Sequence, residues 1–185
     1  MPMPATSPPL MTADELAVLN IPHKSTELVR GRLIVREPPS TYHGQVSGRL
    51  TYLLGHHVYR AELGEVFGQH TGFHIFSNPD SVRAPDVAFV RKERLEGLPR
   101  RGFARLAPDL VVEVMSPDDR PGEVLSKVGD WLEAGVLVVW VIDPGRPEAR
   151  AYRADGDVAL VTAQGALRGD DVLPGFECPL GDLLR

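Results

Sequence analysis

The sequence predicts one α/β (α+β) domain, a mixed central β-sheet flanked by helices. Three patterns carry that prediction. Pro108 to Ser116 and Val136 to Ile142 are short, almost wholly apolar runs rich in β-branched residues, as expected of strands buried on both faces. An amphipathic stretch of helical period, about Gly122 to Ala134, joins them, and strand–helix–strand order implies a right-handed parallel crossover. Elsewhere, apolar runs flank short glycine-containing turns, which is the pattern of antiparallel hairpins.

The elements follow in order. Thr12-Ala13-Asp14-Glu15 matches a capping box, so a short helix runs to about Asn20 and Ile21-Pro22 ends it. Thr26 to Val29 and Arg32 to Arg36 flank Arg30-Gly31 as a hairpin, stopped by Pro38-Pro39. From about Tyr42 to Leu63, Val46, Leu50, Leu53, Leu54 and Val58 form one stripe at helical spacing, and Gly64 reads as the C-terminal cap. Glu65 to Gly68 and Gly72 to Phe76 read as strands, Asn78-Pro79-Asp80 as a turn, and Asp86 heads a further strand, Val87 to Val90. Residues 91–107 are basic and glycine-punctuated, read as a short helix and an exposed loop. The crossover helix carries its stripe on Val124, Leu125, Val128, Trp131 and Leu132 and stops at Gly135. Ala149 to Arg153 and Val158 to Thr162 form a terminal hairpin, and the chain ends with a turn at Pro174-Gly175 and one helical turn. No internal repeat or second domain is visible.

The chain has 185 residues, 43% hydrophobic and 24% charged, enough for one sizeable core. A net charge of -5 argues against a surface coated in basic charge for nucleic acid, yet leaves room for a local basic rim and for a cation offsetting an acidic site. The single cysteine, Cys178, excludes an internal disulfide and a multi-cysteine zinc site and fits a reducing setting. Met1 to Met11 is proline-rich and without a basic residue, unlike a signal peptide. It is read as a flexible tail (1–11) before a single domain (12–185). The longest apolar run is far shorter than the roughly 20 residues that span a bilayer. The expected location is cytoplasmic.

Two acids stand against this apolar background. Glu113 lies inside a run that reads as a buried strand, where an unpaired charge costs roughly several kcal/mol. Asp86 heads the second apolar strand. Alternation puts Glu113 on one face with Asp109, Val111 and Met115. Two carboxylates facing one pocket suit a hard cation, Mg²⁺ or Mn²⁺. Lys127 falls on the border of the helix stripe, from where its ammonium reaches back over the sheet. Each residue alone has a plainer reading: Glu113 as an edge residue or half of a structural ion pair, Asp86 as a strand-entry cap, Lys127 as a surface lysine. His70 and His74, the pair His56-His57, and Cys178 show no ligand or nucleophile pattern. The arginines of 91–105 read as a solvated loop or a phosphate track.

The sequence resembles the Uma2 family of restriction-endonuclease-like proteins, within the PD-(D/E)XK nuclease superfamily. The residues that carry the resemblance are Glu27-Leu28-Val29-Arg30-Gly31-Arg32-Leu33, Ala84-Pro85-Asp86-Val87, Pro108 through Pro117, Lys127, Gly135-Val136 through Asp143-Pro144, and Leu173-Pro174-Gly175-Phe176. It implies a restriction-endonuclease-like fold and Mg²⁺- or Mn²⁺-dependent hydrolysis of DNA phosphodiester bonds. Asp86 and Glu113 are implied as the superfamily's two acids and metal ligands. Met115 stands where the superfamily has lysine, and Lys127 matches the place from which this family draws it. Glu27 resembles a further acid, and His43 a polar residue near the site. A homodimer is expected, since cutting both strands of a duplex favours two sites about a two-fold axis. The rival reading is a non-catalytic nucleic-acid-binding or scaffold protein that keeps the nuclease fold.

Overall fold

A computed structural model describes residues 9–185. The tail expected over 1–11 falls mostly on residues 1–8, outside the described residues. Met11 donates its amide to Gly31 O at 2.8 Å. The helix expected from the capping box is α1, Ala13–Val18, and both bonds of the box form between Thr12 and Glu15.

The hairpin β1 (Ser25–Val29) and β2 (Arg32–Arg36) forms as read, and α2 spans Thr41–Arg60. Strands β3 (Gly64–Phe67), β4 (Phe73–Phe76), β5 (Ser81–Arg83) and β6 (Val87–Arg91) follow. The crossover is β7 (Leu110–Val114), α3 (Pro121–Glu133) and β8 (Val138–Asp143). A hairpin, β9 (Glu148–Arg153) and β10 (Val158–Thr162), is followed by β11 (Ala166–Arg168), β12 (Glu177–Pro179) and α4 (Leu180–Leu183).

Six strands form the central mixed sheet in the order β10-β9-β8-β7-β6-β3, and only β7 and β8 run parallel. A second, antiparallel sheet has the order β2-β1-β5-β4. The central sheet is covered on both faces, which is why its middle strands read as continuous apolar runs. On one face Val46, Leu50, Leu54 and Val58 of α2 pack on Phe89, Val112 and Trp140, with the C-terminal Leu173, Phe176 and Leu180. On the other, Val128 and Trp131 of α3 pack on Val111, Val139, Val141 and Phe73. Alternation along β7 holds as expected: Val112 and Val114 join the first core, while Val111 and Met115 join the second.

Three readings need correction. Gly64 is no helix cap; it opens β3 opposite Arg91, and a Cβ there would sit 2.1 Å from Val90 O. The helix ends earlier because Glu62 takes a positive φ and Leu63 N–H closes back on Val58 O. Leu53 and Leu125 belong to the sequence stripes but are exposed, since each stripe is wider than the groove it fills. The strands β5, β11 and β12, three residues each, show too little alternation to be read from sequence. Among the described residues no helix is long and apolar enough to cross a membrane.

The close approach at Gly64 leads to a prediction. Gly64→Ala should destabilise the protein by about 2 kcal/mol or more, because the methyl meets backbone rather than a side chain that can turn away. Urea denaturation monitored by tryptophan fluorescence measures it; a midpoint equal to wild type contradicts it.

Candidate active site

The central sheet and the second sheet meet at the end of β7. Asp86 directly precedes β6, and its amide donates to Val112 O at 3.1 Å, so its side chain lies beside the far end of β7. Its Oδ2 accepts from Val114 N–H at 2.7 Å. Glu113, one residue earlier in β7, points to the α3 face. There its Oε2 meets Lys127 Nζ at 2.7 Å and its Oε1 accepts from Trp131 Nε1 at 2.8 Å. Lys127 and Trp131 are four residues apart on α3 and so share one helix face. That face grips both oxygens of the buried carboxylate.

Lys127 also approaches Glu27 Oε1 at 3.4 Å and Ala84 O at 3.4 Å. Glu27 comes from β1 in the second sheet and is only 4% exposed. Its other bonds go to Ala84 N–H at 2.9 Å and Arg83 Nη1 at 3.1 Å. Arg83 in turn pairs with Asp130 of α3 through Nε at 3.1 Å. A continuous chain of charge therefore ties α3 to both sheets. The structure thus brings together Asp86, Glu113, Lys127 and Glu27, the four residues singled out in sequence.

Around Asp86 lies a second set of polar groups, of which the sequence pointed only to His43. His43, in the first turn of α2, places Nε2 3.2 Å from Asp86 Oδ2. Gln69, in the β3–β4 turn, reaches His43 Nδ1 at 3.2 Å, Ser47 Oγ at 2.9 Å and Asp86 Oδ1 at 3.3 Å. Burial pulls the His43 pKa down, but its bond to Asp86 and that carboxylate's charge outweigh it, and the net shift is upward. Trp131 was legible only as part of an apolar stripe; nothing in its spacing betrays the N–H it donates.

The electrostatics are those of crowded negative charge. Burial, then the charges of Asp86 and Glu27, push the Glu113 carboxyl up to about 7 despite Lys127. Burial would lower the Lys127 pKa, but Glu113 and Glu27 hold it above its usual value. For Glu27 burial again raises, yet Lys127, Arg83 and the Ala84 amide prevail and hold it below the usual carboxylate range. The cleft over these groups encloses about 570 Å³. Seven carboxylates line it against two full cations, Arg36 and Lys127.

The remaining sequence candidates fall elsewhere. His74 pairs with Asp80 at 3.3 Å, and His57 Nε2 lies 3.0 Å from Pro174 O. His70 lines the cleft but is exposed. Burial, then Asp182, push the Cys178 thiol up to about 11, away from a reactive thiolate. Arg94 of the basic loop pairs with Asp109 at 2.9 Å and Arg91 with the same residue at 3.9 Å, at the opposite end of β7 from Glu113. These two arginines neutralise a buried acid and line no part of the cleft.

The Glu27 bonds give a pH-dependent prediction. Because its folded pKa is depressed, its contribution is present above the unfolded value of 4.5 and is lost as pH falls through the lower folded value. Glu27→Gln should therefore lower stability by about 3 kcal/mol at pH 7 by leaving Arg83 and Lys127 short of charge. The gap to wild type should close in acid below pH 4.5. Thermal melts across pH test this, and a gap independent of pH contradicts it.

Comparison with known proteins bears on the fold and the family. The crystal structure of a nuclease described as putative and belonging to DUF820, from Anabaena variabilis ATCC 29413, is similar over 94% of this chain and 97% of that one, with a TM-score of 0.81 at 19% identity. At that identity the likeness bears on fold alone. No curated protein matches. The family model Uma2, described as "Putative restriction endonuclease", matches residues 14–181. With the model matched from α1 to α4, the chain belongs to the Uma2 family.

Proposed function

We propose that this protein is a metal-dependent endodeoxyribonuclease that hydrolyses DNA phosphodiester bonds, with Asp86 and Glu113 as the ligands of a Mg²⁺ or Mn²⁺ ion. The observation that carries the reading is the buried Glu113 carboxylate beside Asp86, in a cleft where carboxylates outnumber cations seven to two. Of these acids Glu27 and Glu113 are buried and Asp86 is 19% exposed, and holding Glu113 and Asp86 so close is unfavourable unless a cation joins them. The donor set fits Mg²⁺, which binds through one or two carboxylates and fills its other positions with water and phosphate oxygens. Among the described residues no three His, Cys, Asp or Glu side chains form a cage that would hold a metal by protein alone. When bound, such an ion supplies Lewis-acid charge that makes water a better nucleophile at neutral pH and offsets charge developing on phosphate.

The chain's own groups then have distinct tasks. Val114 N–H, His43 and Gln69 fix the Asp86 carboxylate, and Trp131 fixes that of Glu113. Lys127, its ammonium held on Glu113 and Glu27, orients the attacking water or neutralises charge on the phosphate. Glu27, nearly sealed from solvent, positions Lys127 and does not touch substrate. The rival reading, a non-catalytic protein on the nuclease fold, rests on Met115 in place of lysine and on the net charge of -5; an ammonium 2.7 Å from Glu113 on the next helix weighs against it. We further propose that a homodimer cuts both strands of cytoplasmic DNA.

Asp86→Ala and Glu113→Ala should each reduce Mg²⁺-dependent cleavage of plasmid DNA by at least ~100-fold, the loss of several kcal/mol of metal-assisted stabilisation. Circular dichroism should remain native. Retained cleavage in both variants contradicts the assignment.

A further inference from the structure

The two cations of the cleft differ in what they have left to give. The Lys127 ammonium is already engaged by the protein: it donates to Glu113 at 2.7 Å and to Ala84 O at 3.4 Å, and it pairs with Glu27 at 3.4 Å. Arg36 closes β2, where the hairpin register sets it opposite Ser25 and two residues beyond the Glu27–Ile34 pair. It therefore shares its sheet face with Glu27 and opens onto the cleft. Its Nε is buried and has no hydrogen-bond partner. The nearest carboxylate oxygen, Glu27 Oε2, is 3.8 Å away, too far to accept, and already takes Arg83 at 3.1 Å. That loose contact is the sole ion pair of Arg36 among the described residues. The side chain is nevertheless 39% exposed, so the outer part of the guanidinium reaches the open cleft.

A buried N–H of a charged group left unbonded is unfavourable and rare in folded proteins unless something outside the chain supplies the acceptor. A guanidinium presents Nε and one Nη side by side, in the fork that matches two oxygens of a phosphate. In a cleft whose other charged side chains are acids and the already engaged Lys127, one such fork is what a polyanion has to grip. The basic loop does not compete for the role: Arg91 and Arg94 are taken up by Asp109, and Arg100, Arg101 and Arg105 do not line the cleft.

We propose that Arg36 is a substrate-phosphate clamp: once the side chain turns out of its loose contact with Glu27, it binds one backbone phosphate of the nucleic-acid strand bidentately through Nε and a terminal nitrogen. This rests on the nuclease reading above and adds a binding residue to it. Arg36 touches the substrate's backbone, so its effect is on affinity and register and is independent of base sequence.

The test is steady-state cleavage of a fluorescein-labelled oligonucleotide by the full-length protein in Mg²⁺, across a range of KCl. Arg36→Ala and the polar but uncharged Arg36→Gln should raise KM about tenfold or more with kcat changed less than about threefold. The slope of log KM against log[KCl] should become shallower by about one unit, the loss of one phosphate contact. Arg36→Lys should restore the slope but only part of the affinity, because a point charge lacks the fork. Arg100→Ala, in the exposed basic loop, should leave both unchanged. Wild-type KM and slope in Arg36→Ala and Arg36→Gln, or a fall in kcat alone, overturn the clamp, the latter because it reports a structural effect through Glu27. If the wild type does not cut, the nuclease reading fails. Anisotropy with the same oligonucleotide then decides the clamp: binding weakened about tenfold in Arg36→Gln keeps it, and no binding removes it too.

Discussion

The constraint on which this structure turns is a single carboxylate in the middle of an apolar sheet. Glu113 sits in β7, a strand whose five residues are all buried, between a parallel neighbour, β8, and an antiparallel one, β6. No water reaches it freely, so its charge must be met by groups the fold delivers. Lys127 and Trp131 deliver one half from α3, and Asp86 adds a second negative charge from the start of β6. The rest of the architecture can be read as the means of holding these groups against their mutual cost.

The second sheet gains its meaning from that need. Glu27 on β1 and Arg83 on β5 meet Lys127 and Asp130 on α3, so α3 is fastened to both sheets by charge as well as by the Val128 and Trp131 core. On the opposite face α2 presents His43 of its first turn to the same cleft, where it meets Asp86, while the buried Ser47 accepts from Gln69, which also reaches Asp86. Three elements distant in sequence converge on two acids. Such over-determination keeps the carboxylate pair in one orientation.

Much of this was legible in the chain. The crossover was visible because β7 and β8 are apolar on both faces, and Glu113 stood out because a charge is out of place there. Lys127 was legible from helical phase, and Asp86 from its place before an apolar strand. The local signals failed where a role depends on tertiary approach. Trp131 has the spacing of a core residue and is one, yet its N–H also serves Glu113. Gln69 lies in a turn with nothing nearby in sequence to mark it. Arg83 belongs to a three-residue strand too short to show alternation, and Arg36 reads as one more charged hairpin residue. Gly64 misleads because a glycine after a helix and a glycine opening a strand look alike in sequence, and only the fold brings Val90 O against it.

The direct measurement of the central claim is a crystal soaked in Mn²⁺ and examined at the manganese absorption edge. The account predicts one anomalous peak shared by the carboxylates of Asp86 and Glu113, absent from a Glu113→Ala crystal. Manganese bound only elsewhere, with Glu113 still closed on Lys127 and Trp131, would contradict it and leave the buried acids as structural ion pairs.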